Sequence, residues 1–319
     1  MTANQLLLAT AAGLISAVVF ASATTGPLLL RFALFFLTPL PLYLAGLGIG
    51  PAAGAVAVIA ATVSILALTN PVAALVFAVS AGMPAALTAR FARLGRDHDG
   101  RTEWYPVGRI VAAAALFGGL FAALALLLMG GDTDTLSKAM HTVVENFVKT
   151  EMPHVPGAAP ITDVQIEEMA TRSLNYLPYT LAALSLITTL LNLWLAGRIT
   201  LASGRLARPW PDLNQFALPA SAALALFIAM AASLLGGMPG LIAGGFAGAF
   251  TFAFALLGLA AAHALTRGSP WRNFMLAALY AALLLYTPGA ALLLAIGGLA
   301  ETVFHYRAAK GRAPPPNTN

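Results

Sequence analysis

Few ionisable side chains fall inside the apolar stretches of this chain, and those few are the first candidates for chemistry. Glu301 stands in "GGLAETVFHYR" with His305 four residues later, and Asn192 lies in another apolar run. A charged group at membrane depth is costly, so it commonly marks an ion path, a proton relay or a ligand contact. Glu301 can instead form a structural ion pair with Arg267 or Arg272 across the last two apolar runs. The sequence leaves both roles open.

Signatures of catalysis and of metal binding are missing from the sequence. It contains no Walker A sequence, no H-E-x-x-H and no G-x-S-x-G. It has no cysteine, which excludes disulfides and thiolate ligands. His141 and Glu145 are four residues apart, but one such pair without further ligands is not a metal site. We therefore expect no enzyme, no metal and no cofactor.

The composition defines the surroundings in which these residues act. The 319 residues are 59% hydrophobic and 9% charged, whereas soluble domains carry about 25% charged residues. Such a chain has too few polar residues to cover the surface of a soluble protein, so we predict an all-α, polytopic transmembrane helical bundle. Its basic residues stand at the ends of apolar runs, as is usual in membrane proteins, so the high pI is not a sign of nucleic-acid binding. The partner that the composition implies is the lipid bilayer.

About ten spans, eight at least, are expected, because one crossing takes about 20 residues. The last two runs can also form one kinked helix or a re-entrant pair, since "TPG" divides them into short halves. We predict one transmembrane domain over 1–306 and a basic, disordered cytoplasmic tail over 307–319. The predicted spans are 5–23, 30–47, 51–69, 71–90, 107–129, 178–197, 216–235, 240–265, 272–287 and 289–306.

The distribution of positive charge predicts the orientation. With the N-terminus inside, thirteen Lys and Arg residues fall at cytoplasmic span ends and four fall outside. Both termini are then cytoplasmic, in a multi-pass protein of the bacterial inner membrane. We call the face with most of the arginines the arginine-rich end and the opposite face the acidic end.

The acidic end carries the longest polar segment, residues 130–177, with seven of the twelve acidic residues. Apolar residues at helical spacing predict an amphipathic helix over 135–150. Thr162 and Gln165 form a possible capping box, which predicts a second helix over 163–176. This external loop can be a lid that gathers cationic solutes, or a packed and solvated loop.

The stretch "FFLTPLPLYLAGLGIGPAAGAVAV", Phe35 to Val58, is apolar but rich in glycine and proline. With its flanks it is about twice as long as one crossing, and "GLGIGP" is the usual order of residues between two helices. Pro39 and Pro41 then break the second span, and the freed carbonyls need partners from protein or water. The break is either a kink in a packing helix or the wall of a cavity. Our candidate substrate-binding residues are Pro39, Pro41, Tyr43, Asn192 and Glu301.

Small residues recur every four positions on two spans. Gly13, Ala17 and Ala21 form one stripe on the first span, and a glycine stripe at 240, 244 and 248 lies on the eighth. Such stripes let helices approach closely. Each can serve internal packing or dock a partner protein.

Three stretches carry a resemblance to one bacterial family. They are "PLPLYLAGLGIGPAAGAVAV", "FALP" at 216–219 after a Trp-containing turn, and the ending "GGLAETVFHYR". Together they resemble the YybS-like bacterial membrane proteins, a domain of unknown function. In the usual ending an Asp stands where this chain has Glu301, which keeps the charge.

That family is distantly similar to the S components of energy-coupling-factor transporters, although this chain has more spans. S components bind a vitamin near the outer face and dock a coupling membrane protein driven by ATPases. The resemblance implies a solute-binding subunit without its own ATPase. It implies Gly13, Ala17 and Ala21 as the docking stripe and 130–177 as a gate.

The same wider group resembles the cell-shape protein MreD, which is a scaffold. This likeness implies a non-transporting protein that recruits envelope-synthesis or division proteins. The scarcity of polar groups at membrane depth and the arginines of the cytoplasmic turns, such as Arg90, Arg93 and Arg96, favour it. The sequence leaves transporter subunit and scaffold both open.

Overall fold

The computed structural model describes residues 1–23, 27–151, 161–212 and 216–308. Within these ranges the chain forms thirteen α-helices, which confirms the helical membrane bundle as the fold class. Most of the predicted tail, from 309 onward, lies outside the described residues. The helices are α1 (Ala3–Ser22), α2 (Leu28–Leu37), α3 (Leu40–Gly48), α4 (Pro51–Leu68), α5 (Pro71–Phe77), α6 (Met83–Arg93), α7 (Val107–Leu128), α8 (Thr133–Glu151), α9 (Asp163–Ala202), α10 (Ala220–Ser233), α11 (Gly237–Leu265), α12 (Arg272–Leu285) and α13 (Thr287–Phe304).

Each of the ten predicted apolar runs is helical, but they differ in length. Eight are long and apolar enough to cross a membrane. Helices α10 and α12 have 14 residues each, or about 21 Å at 1.5 Å per residue, which is less than a typical hydrocarbon core. Residues 272–306 form two helices that meet at Tyr286. The span count is therefore eight full-length helices with two shorter ones.

The glycine- and proline-rich stretch forms two spans, as predicted. Helix α3 ends at Gly48 and α4 begins at Pro51. The connecting Gly50 has φ +153°, a backbone conformation that glycine reaches without steric cost. The second span is broken between α2 and α3 at Thr38 and Pro39, which confirms the effect expected of the prolines. The fourth span contains a π-helical turn, Ala78–Gly82, just before Pro84.

The external segment differs from its prediction in one respect. Helix α8 covers the predicted amphipathic helix, and the Thr162–Gln165 capping box is present. The prediction of a separate second helix over 163–176 is wrong, because α9 continues from Asp163 through Pro178 to Ala202. Its 40 residues give a length of about 60 Å, twice a typical hydrocarbon core. Helix α8 packs along the first half of α9 through Val144, Ile166 and Ala170.

A β-hairpin at the arginine-rich end was not predicted. Strands β1 (Gly95–His98) and β2 (Arg101–Trp104) pair in antiparallel fashion. Asp99 and Gly100 between them have φ of 49° and 73°, as a two-residue hairpin turn requires. The Asp-Gly dipeptide is a strong local signal for this turn, and it was present in the sequence.

The buried side chains form two large clusters. The N-terminal cluster combines α1, α3–α6 and the ends of α7 and α9. The C-terminal cluster combines α7, α9, α10, α11 and α13. Helices α7 and α9 belong to both clusters and join them. Hydrogen bonds bring the helix ends together at the arginine-rich end, where Arg93 donates to the Leu47 carbonyl and Arg307 to the Phe216 carbonyl.

Candidate binding site

The break in the second span is closed by polar side chains from other helices. The Nδ2 of Asn192 on α9 donates to the Phe36 carbonyl at 2.6 Å, and the Ser16 hydroxyl on α1 donates to the Thr38 carbonyl at 2.6 Å. Both donors are buried. The Phe36 and Thr38 carbonyls at the break therefore have protein partners, as a polar backbone group inside a membrane requires.

Tyr43 makes the next contact along α3. It is fully buried, and its hydroxyl lies 2.9 Å from Thr88 Oγ1 on α6. The Thr88 hydroxyl also lies 2.6 Å from the Pro84 carbonyl. These bonds hold α3 against α6, so the position of Tyr43 is that of a packing residue.

The space beside the break is small. A cavity of about 10 Å³ lies next to Pro39 and Thr38, with Ser185 and Thr188 of α9 on its other side. Such a volume is no larger than one water molecule. The Ser185 hydroxyl finds no hydrogen-bond partner in the described part of the chain. The structure thus brings Pro39, Tyr43 and Asn192 into one region and leaves Pro41 partly buried beside them, with no room for a solute.

Glu301 lies in a different region, at the arginine-rich end of α13. Its carboxylate accepts from Arg307 Nε at 2.8 Å and from the Arg307 backbone N–H at 3.2 Å. Both side chains are nearly enclosed, with 7% and 11% of their area exposed. The suggested pairing with Arg267 or Arg272 is wrong in its partner, because Arg272 donates to the His263 carbonyl instead. Glu301 binds Arg307, which donates to the Phe216 carbonyl. These contacts hold the segment after α13 against the loop before α10.

The first small-residue stripe is mostly internal. A Cβ on Gly13 would run into the Ala57 carbonyl and lie 2.9 Å from Ala60 Cβ, because α1 and α4 pack closely there. Ala17 is buried and Ala21 is exposed. Gly13 and Ala17 therefore make contacts within the chain, and a docking role for the stripe stays a prediction. The glycine stripe on α11 packs against Tyr179 and the end of α10 in the same way.

A much larger cavity opens at the arginine-rich end, between the two clusters. Its volume is about 460 Å³. One wall comes from Leu47 and Ala92 of the N-terminal cluster, and the opposite wall comes from Leu256 and Ala260 on α11. Helices α7 and α9 supply the floor between them, through side chains such as Ile110, Val111, Leu190 and Leu193. Nearly every lining side chain is apolar.

Arg208 is the most polar group of this cavity. Its Nη1 donates to the Tyr105 carbonyl at 3.3 Å, and its guanidinium lies 5.8 Å from the centre of the Trp104 ring. Its Nε is buried and has no hydrogen-bond partner among the residues that the structure describes. Burial lowers the pKa of the Arg208 guanidinium, because the charged form loses hydration.

Two further residues frame the cavity. Trp210 lines it and lies 5.1 Å below the Arg198 guanidinium. His263 also lines it, with its Nε2 2.8 Å from the Tyr280 hydroxyl on α12. The cavity was not found from the sequence. The nearest signal in the sequence is the Pro-Trp dipeptide at 209–210, because Trp210 lines the cavity.

The acidic end offers a more exposed group of charges. His141 on α8 lies 3.8 Å from Glu145 and 3.7 Å from Glu167 of α9. A hydrogen bond from Lys149 lowers the pKa of Glu145. Throughout the described ranges, no cluster of three or more His, Asp or Glu residues has the arrangement of a metal site.

Comparison with known proteins supports one statement about identity. The family model of the predicted membrane proteins DUF2232 matches residues 14–300, so the chain belongs to that family, and the YybS-like resemblance agrees with it. The match does not connect the chain to the S components of energy-coupling-factor transporters. No curated protein and no solved structure matches the chain. The protein is thus an integral membrane protein of a family whose function is not established.

Proposed function

We propose that this protein is the ligand-binding membrane subunit of a transport system, and that its ligand occupies the cavity at the arginine-rich end. The supporting observation is the cavity of about 460 Å³ between the two clusters. Small-molecule sites have volumes of roughly 300–1,000 Å³ and often form where two packed units meet. The proposal moves the ligand away from the broken second span, where only a water molecule fits.

The proposal keeps the predicted orientation. The arginine-rich end faces the cytoplasm of a bacterial cell, because positively charged segments stay on that side of the inner membrane. The chain itself carries no Walker A sequence, so a coupling membrane subunit with ATPases supplies the energy. The protein performs no catalytic step and uses no metal or cofactor.

A cavity-filling variant tests the proposal. Ala260→Phe places a ring in the cavity, and Ala278→Phe adds the same ring at an exposed position of α12. We expect mass spectrometry of protein purified in mild detergent to find a small molecule on the wild type and on Ala278→Phe. The same molecule should be missing from Ala260→Phe, and an ATPase with a coupling subunit should co-purify from native membranes. A wild type that retains no molecule and gains no thermal stability from a metabolite panel contradicts the proposal.

The exposed β-hairpin supports a second candidate, a scaffold that recruits envelope-synthesis proteins. Most of its side chains are exposed, with the exception of Trp104, which contacts Arg208. Both members of its Arg96–Glu103 pair are exposed. The test replaces Arg90, Arg96 and Arg101 with Gln. Arg93 stays unchanged, because it bonds the Leu47 carbonyl and its loss would disturb packing. We expect envelope proteins to be lost from the co-purified fraction if the scaffold is correct, and unchanged partners count against it.

A further inference from the structure

We propose that the ligand of the large cavity is an anionic amphiphile, whose apolar chain fills the cavity and whose phosphate or carboxylate binds Arg208. This inference rests on the proposed ligand site and adds the chemical class of the ligand. The lining provides apolar side chains over nearly its whole surface and one guanidinium. A ligand that matches both parts needs a hydrocarbon body and a single negative head.

The guanidinium of Arg208 lacks an ion-pair partner in the part of the chain that the structure describes, residues 1–23, 27–151, 161–212 and 216–308. Its Nε is buried and unpartnered in the same part of the chain. An enclosed donor without an acceptor is unfavourable. A bound anion would balance the charge of the guanidinium and give its Nη2 an acceptor.

The geometry of the side chain suits a carboxylate or phosphate. The Nη1 of Arg208 donates to the Tyr105 carbonyl. Its Nε is enclosed by protein atoms, so Nη2 is the nitrogen that remains to donate to a ligand. The N–H groups of Nη2 can donate charge-assisted hydrogen bonds to the oxygens of a carboxylate or phosphate. The Trp104 ring lies 5.8 Å from the guanidinium, within the range of a cation–π contact.

The imidazole of the lining is already paired. The Nε2 of His263 lies at hydrogen-bond distance from the Tyr280 hydroxyl. Arg198 lies over Trp210 and is exposed at the mouth. The headgroup therefore belongs beside Arg208, in the loop between α9 and α10, and the chain points inward along α7 and α11. This placement puts charge at the membrane surface and hydrocarbon inside the bundle, as in an amphiphile.

The test compares chain-matched probes on purified full-length protein in a neutral maltoside detergent. The probes are oleate and oleyl alcohol, followed by dioleoyl phosphatidylglycerol and dioleoyl phosphatidylcholine. We expect the anionic member of each pair to bind at least about tenfold more tightly, since charge-assisted hydrogen bonds provide that discrimination. The first pair tests a free single-chain acid and the second a bilayer phospholipid, so the tighter of the two anions identifies the source.

Three variants assign the discrimination to one side chain. Arg208→Gln should bind the anionic probe no better than the neutral one, and Arg208→Lys should recover part of the preference. Arg205→Gln removes an exposed charge three residues away in the same loop and should bind like the wild type. Equal binding of charged and neutral probes to the wild type, or an unchanged preference in Arg208→Gln, overturns the proposal.

The variant Ala260→Phe separates this result from a failure of the ligand site itself. If neutral and anionic probes bind equally and Ala260→Phe abolishes both, the cavity holds a ligand but the anionic class is wrong. If no probe binds the wild type, both the anionic class and the proposed ligand site are wrong. Thermal stability of each variant without probe shows whether it has folded.

Discussion

The broken second span and the cavity at the arginine-rich end are two regions where the close packing of the helices is interrupted, and they differ in how much space is left. At the break, Asn192 and Ser16 donate to the Phe36 and Thr38 carbonyls, and a volume of about 10 Å³ is left. At the arginine-rich end, the two clusters diverge and leave about 460 Å³. An interrupted helix therefore does not by itself create a binding site. Space arises here where the two clusters separate, and the hydrogen bonds from Asn192 and Ser16 at the break serve stability.

Of the substitutions considered, we expect the largest loss of stability from one at Glu301. Glu301 binds Arg307, and Arg307 donates to the carbonyl of Phe216, which lines the cavity. We expect Glu301→Ala to lower the free energy of unfolding by about 3 kcal/mol, because it leaves a nearly enclosed Arg307 without its carboxylate. Thermal or denaturant unfolding in mild detergent measures the change. Glu103→Gln is the control, since its pair with Arg96 is exposed and exposed pairs contribute roughly 0–1 kcal/mol. Similar losses in both variants would show that Glu301 has no anchoring role.

A substitution at Asn192 tests the broken second span. Asn192→Leu removes the donor to the Phe36 carbonyl and should cost about 2 kcal/mol of stability, because that carbonyl becomes a buried acceptor without a partner. Ligand retention by the folded protein should not change, since the ligand lies elsewhere. Ser64→Ala is the matched control, because its hydroxyl bonds only the Ala60 carbonyl of its own helix. A loss of ligand in folded Asn192→Leu would restore the break as a binding site.

A substitution at Tyr43 tests the stability of the same region by removing a single hydroxyl. Tyr43→Phe deletes only the hydroxyl that contacts Thr88, and Thr88 keeps the Pro84 carbonyl as a partner. We expect a loss of about 1 kcal/mol, the usual contribution of one hydrogen bond. Unfolding measurements beside Asn192→Leu establish the order of the two effects. A larger loss for Tyr43→Phe than for Asn192→Leu would contradict this account of the break.

The smallest expected effect lies outside both regions, at the start of α8. The Thr135 backbone N–H donates to Asp132 at 2.8 Å, and this bond holds the pKa of Asp132 below its ordinary value. A lowered folded-state pKa stabilises the folded protein above the unfolded pKa of about 3.9, and the contribution is lost as pH falls through the folded value. Hydrogen-exchange protection of the first turn of α8 should therefore fall below about pH 4.

Asp132→Asn provides the comparison, because its amide oxygen can cap the helix without titrating. Protection in this variant should show no such dependence on pH. The break around Asn192 carries no carboxylate and should keep its protection over the same range. A parallel loss at both places would indicate global acid unfolding and not the loss of one cap.

Local signals explain most of what could be predicted. Proline at 39, glycine and proline around 50, and Thr162 before Gln165 act on their own backbone, and the structure has all three features where expected. The Asp99–Gly100 hairpin is equally local and was overlooked. The continuity of α9 was missed because the polarity change near 178 was interpreted as a helix end, although Pro178 is accommodated inside the helix. The single domain over 1–306 stays a prediction.

By itself, the sequence determined the class of protein, the apolar helices and the positions where they break, because hydropathy and backbone preference are properties of neighbouring residues. Only the tertiary structure decided how those breaks are satisfied and where space remains. Asn192 reaches a carbonyl 156 residues away, and Arg208 bonds one 103 residues away. Such contacts depend on how helices pack in three dimensions, and no local pattern records them. The cavity likewise belongs to no segment, since its walls come from α3, α6, α7, α9 and α11.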